Sequence, residues 1–408
     1  MRVCVIGLGY IGLPTASLLA TKGFQVLGVD VNPDIVESIN QGSIHNIEPG
    51  LDRLVKLAIY SGNLKASQTP AFADVFMIVV PTPFDHDKKP DISYIRAATV
   101  AIAPYLQSNN LIILESTSPV GTTEKMQQHI QTLRPDLKEL AIAYCPERVI
   151  PGNALQELIN NDRIIGGLNA AATEKAKQFY AHFVEGTIIP TNACTAEMCK
   201  LTENAFRDVN IAFANELSMI CDELSIDTWE LIRLANCHPR VNILEPGPGV
   251  GGHCIAVDPW FMVSRSPDTA QLIRKAREVN DAKPMWVIEK IKTQAKKFIN
   301  PVIACLGLSF KANIGDLRES PAKKIATTLI DQQVGKIVVC EPHLKQSNQF
   351  TLMSLSEAIE CADIIVILVA HQQFQVLEQF DLSEKIVIDV KGFLKKKAHQ
   401  VTKEIVHA

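Results

Sequence analysis

The segment with the clearest chemical signature runs from Pro246 to Cys254 and reads PGPGVGGHC. Its four glycines free the backbone from side chains, so that amide groups can line a site for an anion or an oxyanion. The apolar residues 255–257 after the cysteine predict the first turn of a helix, and a thiol at a helix N-terminus is stabilised as a thiolate. The pattern indicates a nucleophilic cysteine. A buried apolar thiol behind a flexible loop is the alternative that it leaves open.

Three polar residues could serve such a nucleophile. Lys200 and Asn204 are four positions apart in a long helical stretch and therefore share a helix face. Asp258 follows Cys254 by four positions, within reach of one helical face. An amine, an amide and a carboxylate around a thiolate could stabilise an oxyanion and handle protons and water. Lys200 and Asn204 flank the apolar stripe, however, so spacing alone favours a solvated helix face.

A dinucleotide-binding pattern lies near the start of the chain. Gly7, Gly9 and Gly12 have the spacing GxGxxG between an apolar strand and a helix, which is the context that this motif requires. Asp30 ends the second strand, where a carboxylate accepts hydrogen bonds from the adenosine ribose hydroxyls. Residues 31–34 contain no Arg or Lys that would receive a 2′-phosphate, so the pattern favours NAD over NADP.

Hydroxyl side chains follow two further apolar strands. Thr82 comes after the strand 75–80, and Thr117 comes after the strand 111–115. Ligands of parallel α/β sheets collect at the carboxyl ends of strands, so both threonines are candidate cofactor contacts. Threonine is also common in turns and helix caps, which is the competing interpretation.

The elements around these residues predict an α/β fold. Short apolar strands alternate with helices up to about residue 190 and again from residue 301, which is typical of parallel sheets covered on both faces. Residues 191–238 contain neither Gly nor Pro and predict a long helix over about 196–224. We therefore expect two Rossmann-like domains, 1–190 and 301–408, joined by a central helical region, 191–300, that contains the long helix.

Composition excludes several classes of protein. The net charge of −4 over 408 residues provides no general basic field for nucleic acid or an anionic membrane. No apolar run approaches the roughly 18 residues of a membrane span, and the N-terminus does not read as a signal peptide. The ten cysteines form no Cys-x-x-Cys pair. The expectation is a cytoplasmic protein with reduced thiols, no metal site and no nucleic-acid or membrane partner.

The motifs together resemble the UDP-glucose/GDP-mannose dehydrogenase family over nearly the whole chain. The markers are Gly7-Leu8-Gly9-Tyr10-Ile11-Gly12, Val80-Pro81-Thr82-Pro83, Glu115-Ser116-Thr117, Cys145-Pro146-Glu147-Arg148, Lys200-Leu201 with Asn204, Gly251-Gly252-His253-Cys254 with Asp258-Pro259, and Phe310-Lys311 with Asp316-Leu317-Arg318-Glu319-Ser320-Pro321. The order of these seven motifs along the chain is also that of the family. The resemblance implies an NAD domain, a central dimerisation region and a C-terminal nucleotide-sugar domain.

The resemblance also implies roles for individual residues. The implied catalytic residues are Cys254 as nucleophile, Lys200, Asn204 and Asp258 as the polar cluster around it, Glu147 as an acid–base carboxylate, and Thr117 near the hydride-transfer site. The implied NAD contacts are Gly7, Gly9, Tyr10, Ile11, Gly12, Asp30, Thr82, Thr117 and Arg318. The implied substrate contacts are Glu147, Arg148, Lys200, Asn204, Arg240, Gly251 and Lys311. Which of Asp258 and Glu147 acts as the base stays open.

Within the family, the stretches 144–152, 195–216 and 238–261 resemble the branch that oxidises UDP-N-acetyl-D-mannosamine. Pro151 stands where UDP-glucose enzymes carry a second glutamate, which puts UDP-glucose in doubt. The implied reaction is a four-electron oxidation of C6 to the uronate, carried out by a homodimer. The product is a building block of bacterial surface polysaccharides. The alternatives are oxidation of UDP-N-acetylglucosamine or UDP-glucose, a two-electron hydroxyacid dehydrogenase, and a non-catalytic sensor of NAD or a nucleotide sugar.

Overall fold

The computed structural model describes residues 1–44, 48–85, 87–149, 152–394 and 405–407. The chain forms two compact units. The first unit contains Met1–Glu203 and Trp260–Pro267, and the second contains Asn204–Pro259 and Asp268–Ala408. The predicted domain boundaries at residues 190 and 300 stay a prediction.

An eight-stranded sheet forms the centre of the first unit. Its strands are β1 (Arg2–Ile6), β2 (Gln25–Val29), β3 (Leu64–Ser67), β4 (Val75–Ile78), β5 (Leu111–Leu114), β6 (Ala141–Tyr144), β7 (Arg163–Gly167) and β8 (Ile188–Asn192). The order is β3-β2-β1-β4-β5-β6-β7-β8. All neighbours are parallel except β6 and β7, which pair antiparallel. The six strands from β3 to β6 have the order of a dinucleotide-binding sheet.

The helices of the first unit cover both faces of this sheet. They are α1 (Gly12–Thr21), α2 (Pro33–Asn40), α3 (Leu51–Tyr60), α4 (Ser93–Ile102), α5 (Thr122–Leu133), α6 (Ala154–Asn160) and α7 (Ala170–Tyr180), with a short 3₁₀ helix at Ala103–Tyr105. Strands β4 and β5 are buried along their full length, as their continuous apolar sequences predict. The predicted α/β architecture is confirmed, although β3, β7, β8 and the antiparallel pairing were not predicted.

Two helices contribute residues to both units. Helix α8 covers Ala193–Glu223, close to the predicted range 196–224, and α10 covers Asp258–Arg265. No glycine or proline interrupts α8. This long helix carries Lys200 and Asn204, so that one continuous element positions two of the predicted site residues.

A second sheet forms the centre of the second unit. Its strands are β9 (Val302–Leu306), β10 (Lys336–Cys340), β11 (Ile364–Ile367), β12 (Ile386–Asp389) and β13 (Ile405–His407), in the order β10-β9-β11-β12-β13. All four pairings are parallel, as predicted, although β13 was not foreseen. The helices are α9 (Thr228–Ala235), α11 (Gln271–Ala295), α12 (Pro321–Asp331) and α13 (Leu355–Cys361), with a 3₁₀ helix at Gln372–Gln379.

Within the described ranges, no helix is both long enough and apolar enough to cross a bilayer.

Candidate active site

The loop between β1 and α1 has the geometry that a dinucleotide requires. Gly7 has a φ of +96°, and a Cβ there would overlap the carbonyl oxygen of Val79. A Cβ at Gly12 would overlap the carbonyl oxygen of Gly7, so this glycine permits the close helix–strand packing. A Cβ at Gly9, in contrast, would meet no atom within 4 Å. The backbone at Gly9 is therefore open to a ligand, while the other two glycines are required by the fold.

The carboxylate of Asp30 lies beside this loop. Its Oδ2 accepts the N–H of Leu8 at 3.0 Å, and its Oδ1 accepts the N–H of Asn32 at 3.0 Å. Asp30 is half-buried, so its oxygens keep acceptor capacity toward the solvent side. Open backbone at Gly9, the N-terminus of α1 and an accessible carboxylate fit the pyrophosphate and ribose of NAD.

The two predicted threonines meet at the carboxyl ends of β4 and β5. The hydroxyl of Thr82 donates to the carbonyl oxygen of Thr117 at 2.6 Å, and the N–H of Val80 donates to Oγ of Ser116 at 2.9 Å. The loops after the two strands are thus joined by hydrogen bonds. The Thr82 hydroxyl already has this partner and is buried, whereas Thr117 is half-buried and its side chain is the more accessible of the two.

Glu147 and Arg148 follow β6, and both have partners in the first unit. The carboxylate of Glu147 accepts NH1 of Arg163 at 2.6 Å and the N–H of Arg148 at 2.6 Å. The guanidinium of Arg148 donates to Glu203 at 2.7 Å and to the carbonyl oxygen of Asp162 at 2.6 Å. Glu147 is only 8% exposed. Its position is therefore set by Arg163, which the sequence analysis did not identify.

Arg163 opens the apolar strand β7, and only the antiparallel pairing of β7 with β6 brings it to Glu147. It is 2% exposed. Burial favours its neutral form, but the negative charges of Glu147 and its neighbours outweigh burial and raise the pKa of Arg163. A charged residue before an apolar run signals an exposed strand end, so no sequence feature indicated a buried ion pair.

A second buried carboxylate, Glu115, completes this cluster. The hydroxyl of Tyr180 donates to its Oε1 at 2.5 Å. Burial, and then the charge of Glu147, raise the pKa of Glu115 to about 7, although the charge of Arg163 and the Tyr180 hydrogen bond oppose the rise. Oε2 of Glu115 has no hydrogen-bond partner among the described residues. This carboxyl group therefore gains a proton near neutral pH.

In the second unit, Cys254 is exposed and precedes α10 by one turn. The N–H of Asp258 donates to the carbonyl oxygen of Cys254 at 2.8 Å. The prediction that residues 255–257 begin the helix is wrong, because these residues form a turn and α10 begins at Asp258. The thiol is accessible to a substrate, as a nucleophile must be.

Asn204 and Asp258 form a direct side-chain pair. Nδ2 of Asn204 donates to Oδ2 of Asp258 at 2.5 Å, and the two residues are 8% and 2% exposed. Lys200, one turn earlier on α8, is 9% exposed. The expectation of a solvated helix face is therefore wrong for both Lys200 and Asn204. A buried amine and a buried amide–carboxylate pair are unusual among polar residues expected on a solvated helix face, which favours a functional interpretation.

The glycines of the cysteine loop are required by neighbouring protein atoms. A Cβ at Gly251 would lie 2.5 Å from the carbonyl oxygen of Glu319, and one at Gly252 would lie 2.8 Å from the ring of Phe310. The N–H of Gly252 donates to the carbonyl oxygen of Arg318 at 3.1 Å. These glycines therefore let the loop pack against the segment 308–320. This packing is a reason for the glycines that their spacing before Cys254 does not indicate.

Arg318 lies within electrostatic reach of Cys254. The guanidinium donates to both carboxylate oxygens of Asp316, at 2.6–3.0 Å. This hydrogen bonding is the main cause that raises the pKa of Arg318, and the charge of Cys254 adds to it. The side chain is 63% exposed. A cation at this position favours the thiolate.

The remaining predicted residues are less closely connected. Arg240 lies in an exposed turn after α9, and Lys311 is exposed in the segment 308–320. Within the described ranges, neither side chain forms an ion pair or hydrogen bond with another predicted site residue. Pro151 lies outside the described residues. No group of three His, Cys, Asp or Glu side chains in the described part of the chain could hold a metal ion.

Comparison with known proteins agrees with this geometry. Three models of the UDP-glucose/GDP-mannose dehydrogenase family match the chain. They are the NAD binding domain over residues 1–184, the central domain over 194–282 and the UDP binding domain over 304–396. Together they cover most of the chain, and the first of them confirms the NAD prediction.

Similar proteins include two curated dehydrogenases and one solved structure. The NDP-N-acetyl-D-galactosaminuronic acid dehydrogenase of Ralstonia nicotianae is 56% identical over 96% of this chain and 95% of its own. The UDP-N-acetyl-D-mannosamine dehydrogenase of Escherichia coli K12 is 52% identical over 96% of this chain and 98% of its own. The structure of the UDP-N-acetyl-mannosamine dehydrogenase from Staphylococcus aureus is 39% identical in sequence and has a TM-score of 0.90. The match covers 100% of this chain and 98% of that one. The chain belongs to the UDP-glucose/GDP-mannose dehydrogenase family and is an NAD-dependent dehydrogenase.

Proposed function

We propose that the protein oxidises C6 of a UDP-N-acetylhexosamine from the alcohol to the carboxylate, with Cys254 as the covalent nucleophile and UDP-N-acetyl-D-mannosamine as the preferred substrate. One observation carries the chemistry: an exposed thiol one turn before a buried Asn204–Asp258 pair. A single oxidation to an aldehyde needs no nucleophile, because the product can leave. A thiol that captures the aldehyde keeps it for a second oxidation.

When bound, NAD supplies a hydride acceptor for each of the two oxidations, so two NADH form for each acid. Between these oxidations, Sγ of Cys254 bonds to C6 of the aldehyde, and the carbonyl oxygen gains a proton. The second oxidation removes the C6 hydride and the hydroxyl proton, leaving a thioester on Cys254. Water then adds to C6, the C–S bond breaks, and the thiolate leaves with its electron pair.

The buried polar residues fit the charges that arise in these steps. An oxyanion develops on the C6 oxygen when the thiolate adds and again when water adds. Lys200 and Asn204 are donors on one face of α8 and are our candidates for stabilising it. Asp258 accepts from Asn204 and orients its amide. A carboxylate in this position could also take a proton from the attacking water.

Glu147 is the weaker of the two candidates for the base. Both of its oxygens accept hydrogen bonds, one from Arg163 and one from the N–H of Arg148. Two donors fix the position of this carboxylate and use only half of its four or so acceptor sites, so it can still accept a hydrogen bond from a substrate group. We assign proton transfer to Asp258, which lies one turn after Cys254, and substrate orientation to Glu147.

The relatives support an acetamido sugar as the substrate class. Relatives named UDP-N-acetyl-D-mannosamine dehydrogenase are 51–54% identical to this chain. The Ralstonia proteins, named for an N-acetylgalactosaminuronic acid, are 55–56% identical, so UDP-N-acetyl-D-galactosamine is a second candidate. The two sugars differ in configuration at C2 and C4. A site that hydrogen-bonds the acetamide in one configuration can strongly reject a sugar that leaves this site unpaired.

The covalent mechanism is tested by Cys254→Ala. We expect uronate formation to fall by about a thousandfold or more, because the aldehyde is no longer captured. Cys237→Ala, which removes another exposed thiol of the second unit, is the matched control and should retain activity. Wild-type enzyme should release two NADH for each acid. Near wild-type uronate formation by Cys254→Ala, or one NADH for each acid, would contradict the mechanism.

The substrate is tested by measuring kcat/KM for UDP-N-acetyl-D-mannosamine, UDP-N-acetyl-D-galactosamine, UDP-N-acetylglucosamine and UDP-glucose under one set of conditions. We expect the first to have the highest value. A higher value for any of the other three would reject the preference for mannosamine and leave the cysteine chemistry untouched.

We also propose a homodimer that supplies a uronate for cytoplasmic synthesis of surface polysaccharide precursors. The support for a dimer is a row of exposed apolar side chains along α8 and at the turn that follows it, formed by Phe206, Phe213, Ile220 and Leu224. Exposed apolar side chains in a row are typical of an interface between proteins. Sedimentation equilibrium of the purified protein distinguishes a dimer from a monomer.

A further inference from the structure

In the first unit, the carboxylate of Glu48 joins the dinucleotide loop to the start of α6. Its Oε2 accepts the hydroxyl of Tyr10 at 2.6 Å and the N–H of Gly152 at 2.9 Å. Its Oε1 accepts the N–H of Ala154 at 2.6 Å. Glu48 is only 5% exposed, so these three donors balance the cost of burying its charge.

Tyr10 is the only side chain of residues 7–12 that forms a hydrogen bond within the described part of the chain. It follows Gly9, where the backbone is open, and precedes Gly12, where α1 begins. Burial, and then the hydrogen bond to Glu48, raise the pKa of the Tyr10 hydroxyl. The hydroxyl therefore stays protonated at neutral pH and continues to donate to Glu48.

We propose that Glu48 is a positioning residue for NAD, which acts by fixing Tyr10 and with it the shape of the loop before the cofactor binds. A loop that is already ordered loses less conformational entropy when its ligand arrives. The proposed four-electron reaction binds a fresh cofactor twice in each turnover, so this ordering acts at both binding steps. The inference rests on the assignment of residues 7–12 to NAD and does not depend on Cys254.

A purely structural role for Glu48 makes a different prediction. The N-cap residue of α6, Asn153, forms no side-chain capping bond, and Glu48 takes its place by accepting the N–H of Ala154. If capping were the only role, removing the Tyr10 hydroxyl would leave cofactor binding unchanged. Tyr10→Phe removes the hydrogen bond between Tyr10 and Glu48 but leaves the hydrogen bond from the N–H of Ala154 to Glu48 intact. This variant therefore separates the two roles.

The experiment measures the Kd of NADH by fluorescence titration, without sugar, for wild type, Tyr10→Phe, Glu48→Ala and the double variant. We expect Kd to rise about three- to tenfold in Tyr10→Phe, because one charge-assisted hydrogen bond no longer orders the loop. The double variant should bind no more weakly than Glu48→Ala alone, since both changes remove the same hydrogen bond between Tyr10 and Glu48. With saturating sugar, KM for NAD should rise while kcat changes little.

Tyr60→Phe is the matched control, because Tyr60 ends α3 and is 82% exposed. An unchanged Kd in Tyr10→Phe would overturn the proposal, and so would effects that simply add in the double variant. If Glu48→Ala does not fold, the comparison of Tyr10→Phe with Tyr60→Phe still decides. Cys254→Ala should bind NADH as the wild type does, so failure of the covalent mechanism would leave this titration unaffected.

Discussion

The turns after β1 and β9 have closely related backbones but differ in what they leave open. Gly7 has a φ of +96° and donates its N–H to the carbonyl oxygen of Val29, and Gly307 has a φ of +91° and donates to that of Cys340. In each turn, the N–H of the following leucine donates to a carboxylate after the next strand of the chain. The acceptor is Asp30 for Leu8 and Glu341 for Leu308.

The two carboxylates have different surroundings. Asp30 is half-buried and keeps acceptor capacity, whereas the side chain of Glu341 is fully buried. Glu341 accepts the N–H groups of Leu308, Ser309 and His343 and lies 3.2 Å from Nε2 of His371. A carboxylate with its oxygens occupied in this way has little capacity left to bind a ribose.

The positions that follow the turns also differ. Gly9 leaves open space at the first turn, while Ser309 at the second is buried and donates to the carbonyl oxygen of Lys311. Helix α1 begins at Gly12, but α12 begins only at Pro321. The longer segment 308–320 instead carries Lys311 and Arg318. One type of backbone turn can therefore suit a cofactor or support a loop of predicted site residues, depending on the side chains around it.

The largest expected effect is a difference in stability between the variants Glu341→Ala and Asp30→Ala, which tests the comparison of the two turns. Removing Glu341 leaves several buried donors without an acceptor and should lower the free energy of unfolding by about 3–5 kcal/mol. Asp30→Ala should cost about 1 kcal/mol. Urea denaturation and NADH titration measure both properties. Glu341→Ala should keep its NADH affinity and Asp30→Ala should lose it. The reverse pattern would show that the second turn binds the cofactor.

A second, smaller effect concerns the pKa values of two buried carboxyl groups, one in each unit. Burial opposes ionisation of Glu341, but the hydrogen bonds from His371, Leu308 and His343 outweigh it and leave its pKa lowered. Glu115 has the hydroxyl of Tyr180 as donor and a neighbouring carboxylate, and its pKa is raised to about 7. The two groups must therefore change stability in opposite directions with pH.

We expect Glu115→Gln to be more stable than wild type above pH 7. The pKa of Glu115 is about 7 in the folded state and about 4.5 when unfolded, so the folded state holds the proton more tightly. The stability that this proton provides is complete below pH 4.5 and is lost as the pH rises through 7. The titratable groups that face Glu115 are the charged pair Glu147 and Arg163 and the neutral side chains of Tyr180 and Cys145.

Urea denaturation of wild type and Glu115→Gln from pH 5 to pH 8 measures this difference, which should reach about 1–3 kcal/mol at pH 8. Glutamine keeps an acceptor for Tyr180, so the variant preserves the hydrogen bond. For Glu341 the sign is opposite: its contribution is present above pH 4.5 and is lost as the pH falls through its lowered pKa. A constant difference between wild type and Glu115→Gln over this range would contradict the assignment.

The sequence predicted those features that depend on local periodicity or on a complete motif. Continuous apolar runs predicted β4 and β5, and the absence of Gly and Pro predicted α8. Residues whose partners are distant in the chain could not be predicted in this way. Arg163 meets Glu147 only through the pairing of β7 with β6, and the burial of Asn204 depends on Asp258, 54 positions away.

The cysteine loop shows why the chemistry of a motif can be predicted better than its geometry. The spacing of glycines before Cys254 indicated a special backbone, and the family resemblance gave the cysteine a role. The reason for the glycines is a contact with Phe310 and Glu319, which lie far along the chain. Nothing near Gly251 or Gly252 in the sequence indicated those contacts.

The smallest effect is expected from Asp30→Asn, which tests whether the half-buried carboxylate of Asp30 selects the cofactor. In wild type, the carboxylate would face the 2′-phosphate of NADP, and two negative charges at close range repel each other, so NAD should be strongly preferred. Asparagine retains an oxygen that can accept the N–H of Leu8 but removes the charge. We expect NAD to bind more weakly and the preference for NAD over NADP to narrow about tenfold, which corresponds to about 1.4 kcal/mol.

The measurement is kcat/KM for both cofactors with one sugar at saturation, and Glu341→Gln is the matched control because its carboxylate is buried. An unchanged preference in Asp30→Asn, or equal use of both cofactors by wild type, would show that selectivity arises elsewhere. The open space at Gly9, and not the charge of Asp30, would then be the feature of the first turn that favours the cofactor.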